Sequence, residues 1–448
     1  MQTIKINLKE TDGIIKPMNA VNNGPAGSKV RQIRGNFSIY EAAHIPFARN
    51  HDASFYEGYG GEHIVDVHRI FKNFNADEND PASYVFGPTD LYVSSTFEVG
   101  TKVFYRLGAS IEHGHKQGTY PPKDFAKWAR ICEHIIRHYT EGWADGFNYD
   151  IEYWEIWNEA DCRNVDGSNP CWQGTEDEFI EFYEVAAKYL KDKFPHLKIG
   201  GPAFTGPWSD DGDFKSRFLK HVKDNNVPMD FYSFHCYAKE PLGIYEAAVE
   251  GARQLEIHGL SGIPTILNEF NYVRSWVGKE YDYSMNSIKG LKGSSFMLGS
   301  MLACQESSLD MLMYYEARPS AWSGLWNTDG LAPLKSYYSL LIFDALAQLG
   351  TWVKADNRDE DIYYCSATNG TDSAFALTYF NDDDTSPAKD IKVEFQNAPS
   401  KVSKVEIFIL DENNDLTQVS EQTFEADKFG IYLNAELYSS YLIKITEK

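Results

Sequence analysis

Basic side chains are scarce in this 448-residue chain: 42 Lys and Arg stand against 65 Asp and Glu, a formal net charge of −23. That balance excludes nucleic acid and anionic membrane surfaces as partners, because both are held by basic patches that displace counterions. No apolar stretch approaches the ~20 residues of a transmembrane helix. The opening MQTIKINLKE holds no apolar signal core. Read from Met1 the chain is cytoplasmic; with a leader removed ahead of Met1 it is periplasmic or secreted. The six cysteines form no CxxC pair, so no zinc site is expected. Cys162 and Cys171 flank a polar loop containing Gly167 and Pro170, which makes them candidates for a disulfide in an oxidising compartment. No glycine-rich dinucleotide fingerprint follows the first strand, which argues against a nucleotide-binding doubly wound sheet.

What is abundant is aromatic. Phe, Trp and Tyr make up 15% of the chain, with 10 Trp and 28 Tyr, while the hydrophobic share of 43% is ordinary for a globular protein. Many rings must be core, but a surplus of Trp and Tyr also suits a surface that stacks on the apolar faces of sugars.

Short β-rich runs alternate with amphipathic helical stretches between residues 13 and 350. Eight strands are expected at 14–21, 45–48, 102–107, 152–157, 197–201, 230–235, 264–267 and 311–315. Helices are expected between them at 123–139, 176–194, 213–225, 243–258 and 287–306. In the first of these helices Phe125, Trp128, Ala129, Cys132, Ile135 and Ile136 recur at helical spacing. Strand–helix alternation implies a parallel sheet with right-handed crossovers, and eight repeats suit a closed (β/α)8 TIM barrel. After residue 350 the texture becomes short strands (362–366, 374–380, 391–395, 405–410, 441–445) between Asn, Asp and Gly turns. The expected fold is therefore α/β: a catalytic barrel at 13–350 and a small antiparallel β-sandwich at 351–448, to which residues 1–12 add a strand.

Barrel enzymes carry their chemistry at the C-terminal ends of the strands. The fourth strand, IEYWEIWNEADC, runs into Asn158-Glu159, and the seventh, IPTILNEFNY, into Asn268-Glu269. Two carboxylates across a barrel mouth match the requirement of glycosidic cleavage. One protonates the leaving oxygen and the other meets the developing oxocarbenium ion. One such Glu is easily a salt-bridged strand terminus; two at opposed strand ends favour catalysis. Water and two carboxylates suffice for this reaction, so no cofactor and no metal are implied. A Schiff-base Lys or a metal cluster, which a barrel aldolase or isomerase needs, is not apparent at these strand ends.

The run PPKDFAKWARICEHIIRHYTEG, then YWEIWNEADC, then CWQGTEDEFIEFYEVAAKYLKDKFPHLKIGGPA resembles glycoside hydrolase family 39 of the retaining clan A. That family includes β-xylosidases and α-L-iduronidases. The similarity is densest between residues 121 and 202. The resemblance implies Glu159 as acid/base, Glu269 as nucleophile, and Asn158 as the residue bonding the substrate 2-hydroxyl. In FARNHD, Arg49 and His51 match the family's Arg-x-His: the arginine would orient the nucleophile and the histidine would contact sugar hydroxyls, with a structural pairing to Asp52 as the alternative. In SFHCY, Tyr237 would donate to Glu269 and His235 would bond near the acid/base. Trp322 and Trp326, after strand eight, and Trp172, after strand four, are candidate stacking walls.

Two departures bear on specificity. The fourth-strand motif is Asn-Glu-Ala-Asp rather than Asn-Glu-Pro-Asn, and strand eight reads MLMYYEARPSAWSGLWN, with Glu316 as the candidate carboxylate for fixing hydroxyls. The insertion at 56–84 is long enough to shape the pocket. The sequence thus points to an exo-acting retaining glycosidase with a carbohydrate substrate, β-xyloside by default, and carries no signal for an oligomeric state. β-Galactoside, α-L-arabinopyranoside or iduronide are the alternatives within the class. For the last, Arg163, Arg274 and Arg318 are candidate partners of a uronate carboxylate. A non-catalytic carbohydrate-binding barrel is the alternative outside it.

Overall fold

The computed structural model describes residues 2–27, 35–52, 63–329, 331–356, 361–398 and 400–448. Strand β1 (Gln2–Ile14) is followed by the barrel strands β2 (Ala20–Asn22), β3 (Phe47–Arg49), β4 (Lys102–Leu107), β5 (Tyr153–Ile156), β6 (Lys198–Phe204), β7 (Tyr232–Ala238), β8 (Thr265–Tyr272) and β9 (Met311–Tyr314). These eight close into a parallel barrel in sequence order, β9 pairing back onto β2. Its floor is plugged by Ala20, Phe104, Phe231, Ile266, Met311 and Met313, with Phe47 and Tyr153 packed against them. Filling the interior with side chains makes the barrel a packed core and leaves only its upper end for chemistry.

The expected helices form, within two residues at each end, at Phe125–Thr140, Glu176–Lys193, Phe214–Asp224 and Pro241–Ile257. The second opens on a capping box: the Thr175 hydroxyl accepts from the Glu178 amide and the Glu178 carboxylate accepts from the Thr175 amide. The stretch at 287–306, expected as one helix, is two, Gly278–Ile288 and Leu291–Gln305, separated at Gly290. Nearly every residue of the second is buried. It lies between barrel and β domain, which leaves no polar face to give a helical period.

Strands β10 (Thr351–Asp356), β11 (Ile362–Thr368), β12 (Ser373–Tyr379), β13 (Lys389–Gln396), β14 (Ser403–Leu410), β15 (Thr417–Phe424), β16 (Lys428–Ala435) and β17 (Ser440–Glu447) join β1 in a nine-stranded sheet ordered β15-β14-β17-β12-β11-β10-β1-β13-β16. Pairing is antiparallel except between β1 and β13, which run parallel. Ile14 ends β1 in this sheet, and the barrel's first strand begins only at Ala20, so the run expected at 14–21 is divided between the two units. Lys292 and Arg274 bridge them: the Lys292 ammonium lies 3.0 Å from Asp382 and 2.9 Å from Asp384, and the Arg274 guanidinium 2.9 Å from Asp382. No helix among the described residues is long and apolar enough to cross a membrane.

Candidate active site

Glu269 is not at the end of its strand. β8 continues to Tyr272, and register shifts interrupt its pairing with β7 after Phe234 and with β9 after Leu267. Such irregularities bend a strand and re-aim its side chains; here they set His235 opposite Glu269. The exit of β5 is bent too. Trp157 (φ 78°), Glu159 (φ 48°) and, after β3, Asp52 (φ 50°) occupy the left-handed region. That region is disfavoured for side-chain-bearing residues and, where tolerated, clusters at functional sites.

Arg49 organises the floor of the site. Fully buried, it donates from Nε to Glu155 at 2.7 Å, from Nη1 to Glu269 at 2.8 Å and from Nη2 to Asn158 at 2.6 Å. Glu155 accepts in addition from Ser233 at 2.6 Å and Asn268 at 2.5 Å. Burial draws the guanidinium pKa down, but Glu155 and Glu269 more than offset it and hold Arg49 above its usual value. The other Glu269 oxygen accepts from the Tyr237 hydroxyl at 2.8 Å. Glu269 is thus oriented by a cation on one oxygen and a phenol on the other.

A second chain of contacts fixes His51. Asp66 accepts from Arg106 Nη2 at 2.8 Å, and Arg106 Nε donates to His51 Nδ1 at 3.3 Å. An accepting Nδ1 leaves the proton on Nε2, which lies 3.3 Å from both Glu269 and Asp52. Burial, with Arg49 and Arg106 nearby, pushes the His51 pKa well below its usual value, so the ring is neutral.

Glu159 stands opposite, with an oxygen 2.7 Å from His235 Nδ1. Single carboxylate oxygens of Glu159 and Glu269 and a ring nitrogen of His235 all fall within 4.8 Å of one another. Burial pushes Glu159 up to about 8, helped by the charges of Asp161 and Asp52 and opposed by Arg49. Burial pushes Glu269 up to about 7; His235 and Arg49 hold it down and Glu159 raises it. The pair titrates together, and Glu159 keeps its proton to the higher pH. Burial lowers the His235 pKa, against the pull of Glu269.

With Glu159 as the acid/base and Glu269 as the nucleophile that the sequence leads one to expect, kcat/KM would follow a bell-shaped pH profile whose basic limb belongs to Glu159. Removing the charge of Asp161 lowers that limb. In Asp161→Asn the basic limb is expected to move to lower pH by about one unit or less, measured from kcat/KM against pH. An unmoved limb would detach it from Glu159.

The other expected residues divide. Glu316 is buried beneath the mouth, accepting from Asn23 at 2.5 Å and Ser320 at 2.7 Å, with Arg318 3.4 Å away. Arg318 also donates to the Asp52 carbonyl. Of the three arginines considered for a uronate, it alone lies here: Arg163 pairs with Glu176 on the surface and Arg274 with Asp382. Trp322 is half-buried beside Tyr237, ring centroids 5.7 Å apart. Trp172 and Trp326 are core, a correction to their expected role as stacking walls. Trp172 packs against Trp157, Phe179 and Phe182, and Trp326 stacks on Tyr40 and donates to the Ala317 carbonyl. Trp276, which the sequence reading passed over, is 57% exposed and lies 5.0 Å from Tyr237 and 5.8 Å from Trp322. Cys162 and Cys171 are free thiols rather than the disulfide considered above. Residues 56–62 of the long insertion lie outside the described residues.

Glu155, Arg106 and Asn268 were also missed. Glu155 precedes the Asn-Glu pair by three residues in IEYWEIWNE, and strand alternation aims it at the barrel interior, a signal that was available. Arg106, paired in register with Glu155, carries the same sign; Asp66 carries none, because its pairing with Arg106 spans 40 residues.

A profile of glycosyl hydrolases family 39 matches residues 57–289, slightly more than half of the chain. Among curated proteins, a β-xylosidase of Geobacillus stearothermophilus is 28% identical over 183 residues, 38% of this chain and 34% of that protein. The chain thus spans about a third of the length of the curated relatives it matches. Among solved structures, a glucosidase from Croceicoccus marinus superposes with a TM-score of 0.81 at 19% identity, covering 100% of this chain and 99% of the other. A monomeric β-xylosidase from Caulobacter crescentus does so with a TM-score of 0.71 at 15% identity, covering 100% and 99%. At these identities the likeness is one of fold.

Proposed function

Since the chain belongs to glycosyl hydrolases family 39, we propose that it is a retaining, exo-acting glycoside hydrolase that removes a terminal sugar, β-xylose by first choice, by double displacement. The observation that carries this reading is the approach of Glu159 and Glu269 within 4.8 Å. Retaining enzymes hold their carboxyl groups ~5–5.5 Å apart, whereas inverting enzymes need about 6.5–9.5 Å to admit a water.

Glu159 donates its proton to the leaving oxygen as Glu269 attacks the anomeric carbon. The glycosyl-enzyme is then hydrolysed by a water that Glu159, now a base, deprotonates. Arg49 and Tyr237 hold the nucleophile in the orientation for attack. Asn158, fixed by Arg49, faces the same centre and is assigned the sugar 2-hydroxyl; neutral His51 is assigned a neighbouring hydroxyl. Trp322 and Trp276 are assigned the aglycone. The choice of xylose rests on the β-xylosidases among its relatives.

The test is a panel of nitrophenyl glycosides, with β-D-xyloside, β-D-galactoside and α-L-arabinopyranoside first. Glu159→Ala is expected to lose ~10²–10⁴-fold on poor leaving groups and to recover with azide, giving the β-glycosyl azide from a β-glycoside. Recovery with the α-azide would overturn retention.

A further inference from the structure

We propose that Glu159, Cys162 and Cys171 form a binding site for a thiophilic divalent cation, and that filling it switches off the acid/base. The inhibition rests on the reading of Glu159 given above; the ion site does not.

A carboxylate oxygen of Glu159 and the sulfurs of Cys162 and Cys171 all lie within 4.8 Å of one another. The Cys171 thiol is 3.9 Å from Glu159 Oε2. A tetrahedral ion with metal–sulfur bonds of about 2.3 Å and metal–oxygen bonds of about 2.0–2.2 Å needs its donors roughly an ångström closer than this limit, within reach of a change of side-chain rotamer. Three protein donors leave the fourth position to water.

The loop holds the three donors in place without a metal. The Cys162 amide donates to the Glu159 carbonyl at 2.9 Å, tying the two in one turn. Across the loop, Asn169 Oδ1 accepts from the amides of Cys171 at 2.7 Å and Trp172 at 2.8 Å, while the Cys171 carbonyl accepts from Trp157 Nε1 at 3.0 Å. Cys171 is therefore fixed from both sides, and Cys162, half-buried, is the point of entry. Of the charges that act on Glu159, Asp161 and Asp52 favour a dication and Arg49 opposes it.

The second donor cluster, Glu159 with His235 and Glu269, is the competing location. It offers no thiol, and one Glu269 oxygen already pairs with the Arg49 guanidinium, which repels a cation. On binding, each thiol ligand and Glu159 release their protons to solvent, and Glu159 becomes a carboxylate bound to the metal. It then has no proton for the leaving group.

The reduced enzyme is titrated with Cd²⁺ alone, following the thiolate-to-cadmium absorption band and glycoside hydrolysis together. One equivalent is expected to saturate the band and abolish turnover, and a chelator to reverse both. Cys162→Ser, a near-isosteric change at a half-buried loop position, is expected to keep metal-free turnover, lose the band and need at least about 10-fold more Cd²⁺ for inhibition. A wild type without the band overturns the site. Equal sensitivity of Cys162→Ser overturns it too, by placing the ion on the carboxylate–histidine cluster. A saturated band with turnover intact overturns the coupling to Glu159 while leaving the ion site standing.

Discussion

Glu269→Ala is expected to lose on the order of 10⁵-fold in kcat on whichever nitrophenyl glycoside the wild type turns over. In the proposed double displacement no glycosyl-enzyme forms without the carboxylate, and Ala supplies no substitute for attack or for charge. The loss should fall on kcat, since Asn158 and His51, the residues assigned to the sugar hydroxyls, remain. The fold should survive: Arg49 keeps Glu155 at 2.7 Å and so is not left as an uncompensated buried cation. Unchanged near-ultraviolet dichroism beside the lost turnover would separate chemistry from folding. Turnover within ~10-fold of wild type would sink the assignment of Glu269.

Arg49→Met is expected to cost about 3–5 kcal/mol of stability as well as activity, read from denaturant midpoints. Its guanidinium pairs with Glu155 and Glu269 at once, both buried, and the substitution strands a carboxylate in the floor of the site. Ser233 and Asn268 still donate to Glu155, but two neutral donors do not replace a cation. Removing the stranded charge as well, in Arg49→Met with Glu155→Gln, should recover part of the loss, because the two changes share a partner and are not additive. Activity should stay low in the double variant, as Glu269 keeps Tyr237 but loses its cation and Asn158 loses its Arg49 bond. A cost for Arg49→Met below about 1 kcal/mol would mean that water reaches Glu155 and the floor is not dry.

The sequence by itself determined the architecture and the two carboxylates. Hydrophobic runs spaced by amphipathic helices leave few topologies besides a barrel, and in a barrel the residues following a strand's apolar core arrive at one end. That logic reaches Glu159 and Glu269; Arg49, His235 and Tyr237 also sit on or just beyond strands, but their roles were implied by the family resemblance. It fails where periodicity is absent: the helix at Leu291–Gln305 is buried all round, and the division of 14–21 between two sheets depends on a partner strand near residue 353.

Only the tertiary structure decided which aromatic rings were free. Trp172 and Trp326 share composition and strand-end context with Trp322, yet helices and loops cover the first two; burial is a property of neighbours, not of the residue. The structure also decided the electrostatics. Arg106 acts on His51 from 55 positions away and Asn268 on Glu155 from 113. The same holds for the convergence of Cys162 and Cys171 on Glu159, since nothing in an eight-residue spacing states that a loop will fold its thiols back onto a carboxylate. Local chemistry is written along the chain, whereas desolvation and through-space charge, which set the proton on Glu159, exist only once distant segments have displaced the water between them.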